Sequence, residues 1–405
     1  MMTLRVLSFC FVALTAARVE AEELLDRLDE ALTFSAFHDQ IRARFSGLMD
    51  LEGYFFQQPA PGLIETSSDS LFNPRLTLFL DAQVGSHLYF FVQSRLDRGF
   101  DPSDGEAQVR LDEYALRVTP WEDGRLNLQV GKFATAVGNW KERHLSWENP
   151  FVTAPLPYEN ITAIHDSEAP SSPGDFLGRT SEAKYDANPL IWGPNYATGA
   201  SVSGRVGRFD YAAEIKNASL SSRPESWYAT EIGFDHPTFS GRVGFRPNPM
   251  WNLGFSASCG PYFRPEAKPT LPSGRGIGDY HEHVLGQDIR FAWHHWQLWA
   301  EVYEAHFEVP RVGNADTVAY YLEAKYKFTP QLFGALRWNQ HLFATGPDGL
   351  GGHAPWGHDL WRIDTALGYR FTAHTQLKLQ YSLQHEDSAP RDFSHLLAAQ
   401  FTVRF

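Results

Sequence analysis

The chain ends in FSHLLAAQFTVRF, residues 393–405, and this segment alternates in hydropathy up to its last residue. Counting back from Phe405 to Leu397, every second residue is apolar, and the residues between are mostly polar or small. Strict alternation predicts a β-strand with one apolar face. Chain ends are commonly polar and poorly ordered. A terminal strand that ends on an aromatic residue therefore indicates that the last residues take part in the fold.

The same period of two recurs from residue 40 onward, in segments of about 9–15 residues. The predicted strands are residues 41–56, 73–84, 88–97, 107–119, 125–137, 199–207, 208–219, 239–247, 251–262, 280–294, 296–309, 316–328, 331–343, 358–371, 375–386 and 393–405. Each is close to or longer than the roughly 9–11 residues that a tilted strand needs to cross a bilayer.

The connections between these segments alternate between short turns and longer polar loops rich in Gly and Pro. Membrane barrels have short turns at one end, longer loops at the other and an even number of strands. A soluble double-sheet protein would bury its apolar face and have sheet edges to protect, with no reason to repeat this alternation. The sequence therefore predicts an all-β fold, a transmembrane antiparallel up-and-down β-barrel of about sixteen strands.

Aromatic residues collect at the predicted strand ends, as expected for girdles at two membrane interfaces. Those near short turns are Trp121, Trp251, Trp296, Tyr369, Phe371 and Phe405, and those near long loops are Tyr54, Phe55, Trp227, Tyr262 and Trp356.

The N-terminal region differs from the rest of the chain. Residues 1–21 have a basic start and an apolar core, which predicts a cleaved signal peptide; the alternative is a short hydrophobic helix of the folded protein. Residues 22–39 are predicted to be a short periplasmic segment with a helix over 22–32, and residues 40–405 the barrel. The formal net charge of −13 argues against nucleic acid as a partner.

Residues on the polar faces of the strands would line the lumen. The predicted pore-lining bases are Arg42, Arg44, Arg75, Arg95, Arg117, Arg242, Arg246, Arg290, Arg337, Arg362 and Lys378. Inward bases outnumber inward acids, and an unpaired excess of arginine would give a weak preference for anions. The alternative is that the inward charges pair across neighbouring strands.

The longest connection, residues 138–198, is the third outside loop and exceeds the usual length of an unstructured loop. Folding into the lumen is the simplest way for it to narrow a wide barrel. Its predicted constriction residues are Lys141, Glu142, Arg143, His144 and Glu148. The alternative is an external lid or a latch between subunits.

Two stretches resemble known outer-membrane proteins. The terminal strand ending at Phe405 resembles the C-terminal signal of Gram-negative outer-membrane proteins, which implies recognition by the barrel-assembly machinery. The run LNLQVGKFATAVG (126–138) resembles a stretch of the phosphate-selective and related porins through Gly131-Lys132-Phe133, Thr135 and Gly138. The basic phosphate site of that family is not identifiable here, so the resemblance implies a porin more firmly than phosphate as its solute.

Enzyme and metal interpretations have less support. His281 and His283, and the pair His294–His295, have no third ligand at a fixed spacing. Ser394 and His395 are neighbours in a strand, so their side chains diverge. No nucleophile elbow, P-loop or dinucleotide motif is present. We therefore predict no enzyme activity, no metal and no cofactor.

The predicted function is that of an outer-membrane porin, conducting small hydrophilic solutes passively and embedded in outer-membrane lipid as a homotrimer. The alternatives are a structural or adhesion barrel whose loops bind a surface partner and, with less support, a barrel enzyme.

Overall fold

The computed structural model describes residues 22–98, 107–179, 184, 186–223, 233–387 and 389–405. Within these ranges 16 antiparallel strands form one closed sheet, and a short strand, Thr33–Ala36, adds to the first of them. The predicted signal peptide (1–21) and Trp227 lie outside the described residues. None of the described helices is long and apolar enough to cross a membrane.

The barrel strands are numbered in chain order. They are β1 (Ile41–Phe56), β2 (Ser70–Val84), β3 (Leu88–Asp97), β4 (Gln108–Val118), β5 (Asn127–Phe133), β6 (Ala197–Val206), β7 (Phe209–Lys216), β8 (Thr238–Phe245), β9 (Trp251–Pro261), β10 (His281–Trp293), β11 (Trp296–Val309), β12 (Gly313–Lys327), β13 (Leu332–Phe343), β14 (Leu360–Arg370), β15 (Thr375–Glu386) and β16 (Ser394–Arg404). Each pairs with its neighbours in sequence, and β1 pairs with β16 to close the sheet.

The predicted number and order of strands are confirmed. Among the first eight strands, the largest difference between predicted and observed bounds is in β5, which ends at Phe133 rather than at residue 137. Beyond it the Thr135 hydroxyl and the Ala136 amide both donate to the Glu214 carboxylate on β7. These bonds draw the chain away from the sheet and into the lumen.

The burial pattern is the reverse of that in a soluble protein. On β16, Leu397 is 55% exposed, whereas the neighbouring inward residues Gln400 and Thr402 are buried. Apolar residues are likewise exposed on the other strands, while acids, bases and amides are buried inside. An apolar exterior around a polar interior is expected of a barrel that faces lipid, and it excludes the soluble double-sheet alternative.

The aromatic residues follow the predicted girdle at the short-turn end, and at the long-loop end only in part, where Phe55 is 66% exposed. Trp121, Trp251 and Trp296, near short turns, are exposed on the outer wall. The prediction is wrong for Tyr54, Tyr262 and Trp356, which are buried inside. Tyr54 shares the inner face of β1 with Glu52, to which its hydroxyl donates. Tyr262 and Trp356 belong to the apolar core that the loops form inside the barrel.

The last residue completes the closing seam between β1 and β16. Phe405 and Gly47 exchange two backbone hydrogen bonds, with N···O distances of 2.9 and 3.1 Å. The Phe405 ring covers Gly47 so closely that a Cβ atom there would overlap it. An aromatic ring over a glycine shields the backbone at a site where no side chain can do so.

We expect Phe405→Asp, or deletion of Phe405, to reduce assembled barrel in the membrane fraction severalfold, because it removes the aromatic residue from the seam. The heat-modifiable band in gel electrophoresis measures the assembled form. Phe405→Trp is the control and should assemble normally. Wild-type amounts of the Asp variant would show that the terminal aromatic residue is not needed.

Candidate pore constriction

The connection between β5 and β6 is residues 134–196, and its described residues (134–179, 184 and 186–196) lie mostly inside the barrel; we call it the inner loop. It contains the short helices Leu156–Glu159 and Pro173–Leu177 and a two-stranded sheet of Ile161–His165 with Ala187–Pro189. Its apolar residues pack against inward side chains of β10–β12, including Tyr303 and Phe307. This apolar core fills that side of the lumen.

The entry of the inner loop is fixed by Gly138 and by one carboxylate of β11. Gly138 has a φ of 69°, and a Cβ atom there would overlap the hydroxyls of Tyr158 and Tyr303. Glu301 accepts hydrogen bonds from the backbone N–H of Trp140 at 3.0 Å and from the Tyr158 hydroxyl at 2.6 Å. A glycine is therefore required at this position of the motif, both for its φ and for its size.

Lys378 of β15 binds the backbone of the inner loop rather than solvent. Its ammonium group donates to the carbonyl oxygens of Ser146 at 2.8 Å, Asn149 at 2.9 Å and Phe151 at 2.9 Å. An ammonium group has three donors, and all three are used here. This predicted pore-lining base is thus a structural anchor.

Two predicted pore-lining arginines anchor the next part of the inner loop. Arg337 lies over the Phe151 ring at 4.2 Å and donates to the Ala154 carbonyl at 3.1 Å. Arg362 also donates to the Ala154 carbonyl, at 2.6 Å, and forms an ion pair with Glu159. Burial raises the pKa of the Glu159 carboxyl, so its charge depends on the Arg362 guanidinium.

The five predicted constriction residues do not converge at one point. Arg143 is buried against β12, 2.5 Å from Glu323. Lys141 donates to the Thr135 carbonyl within the loop, and Glu142 lies 2.5 Å from Arg290. His144, whose Nε2 is 2.8 Å from the Tyr196 hydroxyl, is the one of the five that lines the narrow gap described next. Glu148 is exposed and outside that gap.

A narrow gap of about 60 Å³ separates the inner loop from the wall formed by β1–β4. We call it the gap. The wall contributes Asp50, Arg75, Arg95 and Asp112, and the loop contributes His144 and Glu159 among others. Only a small part of this space is wide enough to hold water.

The arginines of the gap are matched by carboxylates. Arg75 pairs with Asp50 at 3.4 Å and also with Glu52. Arg95 pairs with Asp112 at 3.0 Å. These two bases therefore pair across neighbouring strands, which was the alternative to an unpaired excess of arginine.

Asp112 owes its place in the gap to a β-bulge. The register of β3 and β4 shifts between Gln93 and Ser94, where one extra residue enters β4. The bulge turns Asp112 and Arg110 inward, where both are buried or nearly so and ion-paired. Strict alternation along the strand predicted that Glu113 faces inward, and it did not predict that Arg110 and Asp112 also face inward. The bulge could have been inferred from the sequence, because without it Arg110 and Asp112 would face lipid, which is costly for charged residues.

The other predicted pore-lining residues are also paired. Arg117 donates to Gln129 at 2.8 Å, and Arg242 pairs with Asp210 at 2.8 Å and Asp288 at 2.7 Å. The remaining pairs are Arg246 with Asp210, Arg42 with Asp39 and Arg44 with Asp29. Arg42 and Arg44 are exposed at the start of β1, so they lie at the barrel end and not at its narrowest part.

A larger cavity of about 430 Å³ lies at the end of the barrel where the long loops are. Residues 57–62, 160–163 and 355–358 contribute to its lining. Arg362 borders this cavity, and its ion-pair partner Glu159 borders the gap. This ion pair therefore touches both spaces.

The sequence matches no protein-family model and no curated protein. Solved outer-membrane barrels are similar in structure. OmpF of Salmonella typhi in complex with daunomycin has 12% identity and a TM-score of 0.56 over 92% of this chain and 100% of that one. An anion-selective porin from Comamonas acidovorans has 9% identity and a TM-score of 0.55 over 90% of this chain and 100% of that one. OmpT of Vibrio cholerae, in a trimer form, has 10% identity and a TM-score of 0.53 over 91% and 100%. At these identities the likeness shows the barrel fold.

We expect Lys378→Met to loosen the inner loop, because three buried carbonyl oxygens lose their donor at a cost of about 1–3 kcal/mol each. Amide hydrogen exchange of residues 146–151 should become at least about tenfold faster, the factor that corresponds to about 1.4 kcal/mol. Lys327→Met, at the exposed end of β12, is the matched control. Unchanged exchange in the Lys378 variant would contradict the anchoring role.

Proposed function

We propose that this chain is an outer-membrane porin that allows small hydrophilic solutes to diffuse passively through a narrow pore. The observation that carries the proposal is the gap, a space between the inner loop and the β1–β4 wall that charged residues such as Arg75 and Asp112 border, within a barrel that exposes apolar residues on its outer wall. One side of the lumen is tightly packed, and the other is charged and incompletely filled. A barrel that served only as a scaffold would gain nothing from leaving that second side open.

The proposed path runs from the larger cavity, past the Arg362–Glu159 pair, into the gap. The apolar core between the inner loop and β10–β12 closes the other side of the lumen. Solutes would therefore pass along the β1–β4 wall. The small volume of the gap implies low conductance and exclusion of bulky solutes.

We propose that ion selectivity is weak. Arg75 and Arg95 would favour anions if they were unpaired. Their pairing with Asp50 and Asp112 balances the charge at the gap instead. The structurally similar porin from Comamonas acidovorans is anion-selective, and in this chain such a preference would depend on charges outside the gap.

We also propose a homotrimer in which the wall of β5–β8 is the subunit interface. Strands β5, β7 and β8 have 7, 8 and 8 residues, fewer than the roughly 9–11 needed to cross a bilayer. Exposed apolar residues on this wall include Val130, Phe209 and Val243. A partner subunit would cover them better than lipid, and one structural neighbour has a trimer form. Lipid and the barrel-assembly machinery are the other proposed partners.

Purified protein in planar bilayers should give stable stepwise conductance, and deletion of residues 140–160 should raise it severalfold, because the deletion removes the loop that bounds the gap. Deletion of residues 349–351, where Leu350 is 93% exposed, is the control and should leave conductance unchanged. A closed, silent wild-type barrel would favour a structural or adhesion role. Equal conductance of the wild type and the 140–160 deletion would argue against a constriction by the inner loop.

Asp112→Asn should shift the reversal potential in a salt gradient toward anion preference, because Arg95 and Arg110 lose a shared carboxylate. Asp316→Asn removes the same charge from the exposed start of β12 and serves as the matched control. If both variants shift the potential equally, the gap is not where ions are selected.

A further inference from the structure

The helix over residues 22–31 lies against the end of the barrel where the short turns are, beside the start of β1. The strand Thr33–Ala36 that follows it pairs with Ile41–Arg44 of β1. The Arg44 guanidinium lies 2.7 Å from the Asp29 carboxylate, and the Phe45 N–H donates to the Leu32 carbonyl at 3.0 Å. The helix is therefore fixed to the β1 side of the closing seam.

A second contact joins the helix to the other side of that seam. Asp26 lies 2.8 Å from Nε2 of His374, in the turn between β14 and β15. Since β15 pairs with β16 and β16 with β1, the helix passes over the β1–β16 seam.

Both nitrogens of the His374 ring face acceptors. Nδ1 lies 2.9 Å from the carbonyl oxygen of Arg404, and Nε2 lies 2.8 Å from the Asp26 carboxylate. A carbonyl oxygen and an ionised carboxylate can only accept, and a neutral imidazole has one N–H. Both contacts can be hydrogen bonds only when the ring carries two protons. His374 is 7% exposed, so water does little to replace a lost contact.

In two other short turns a histidine makes the Nδ1 contact with a backbone carbonyl but, within the described ranges of the chain, has no carboxylate at Nε2. His87 and His295 have Nδ1 at 2.7 Å from the Thr119 carbonyl and 2.8 Å from the Lys327 carbonyl. Among the residues that the structure describes, neither ring has an ion pair. The contact of Nδ1 is thus a general feature of these turns, and the contact with Asp26 distinguishes His374.

We propose that the N-terminal helix is a proton-dependent clasp across the closing seam of the barrel. Doubly protonated His374 binds both Asp26 and the Arg404 carbonyl. Loss of one proton leaves a single N–H; when this stays on Nδ1, as the contacts of His87 and His295 indicate, Nε2 faces the carboxylate as an acceptor and that end of the helix is released. The clasp therefore holds at acidic pH and opens as the pH rises through the range in which histidine titrates.

The other charged groups near His374 have partners of their own. The Arg404 guanidinium donates to the Ala373 carbonyl at 2.9 Å and stacks on Trp147 at 4.4 Å. Arg370 also stacks on the Trp147 ring, at 4.8 Å. The Asp29–Arg44 pair holds the β1 side of the helix at either pH. Opening is therefore confined to the end that bears Asp26.

A spin label on the helix tests the clasp. Leu24 is 66% exposed, and Leu24→Cys in a Cys259→Ser background of the mature chain gives one labelling site. In vesicles, the mobile fraction of the label should rise severalfold between about pH 5.5 and about pH 8. Equal mobility at both pH values would overturn the proposal.

Variants assign the response to one contact. Gln cannot take up a proton in this range, so in His374→Gln the mobility of the label should be equal at both pH values. Asp26→Asn, which changes the helix and leaves the barrel intact, should also remove the pH response and covers the case in which the turn variant assembles poorly. His295→Gln is the matched control and should respond like the parent. A pH response that persists in Asp26→Asn, or that disappears in His295→Gln, would overturn the assignment to the His374–Asp26 contact.

Discussion

The constraint on which the structure depends is that a sheet in hydrocarbon must leave no backbone N–H or C=O unpaired. Pairing of β1 with β16 meets that condition, and it gives every strand an outer and an inner face. The outer face exposes mainly apolar residues, and most of the acids, bases and amides of the strands lie inside; Glu304 and Asp316, toward the long loops, are exposed on the outer face. Those buried polar groups then need partners of their own, because an unpaired buried charge is costly.

The inner loop supplies many of these partners. Lys378, Arg337 and Arg362 direct their donors to its backbone carbonyls, while Glu301 accepts from its backbone N–H groups. The side chains of the wall hold the loop in place, and the backbone of the loop supplies hydrogen-bond partners for the buried charges of the wall. This mutual dependence explains why inward bases are so numerous in a lumen that is mostly filled. On the β1–β4 side the charges pair with one another, and there the gap persists.

Much of the fold could be predicted from the sequence because a period of two reports directly which face of a strand a residue occupies. The strand order, the long third connection and the terminal strand all follow from that period. Inward residues such as Arg75 and Arg95 were found in the same way. Arg110 and Asp112 were missed because a bulge changes the period within β4.

The roles of the loop residues could not be read in this way, since a connection without a period gives no rule for where its side chains point. Arg143 and Lys141 looked like pore charges, but tertiary contacts direct them to Glu323 and to the Thr135 carbonyl. Tyr54 lies on an inner face, and its position near a long loop suggested a girdle. Nearness to a strand end does not show which face of the strand a residue occupies, whereas its odd or even place in the alternation does.

The unequal strand lengths have a consequence for the surrounding bilayer. β7 has 8 residues and β12 has 15, about 26 and 50 Å of extended chain at about 3.3 Å per residue. Asn314 and Asp316 face outward at the start of β12, so the apolar belt varies less in height than the strand lengths do; lipid beside a single copy would have to thin on the β7 side. Such mismatch costs a fraction of a kcal/mol per Å. Bilayer thickness itself would then influence how firmly copies of this chain associate, with thicker membranes favouring assembly.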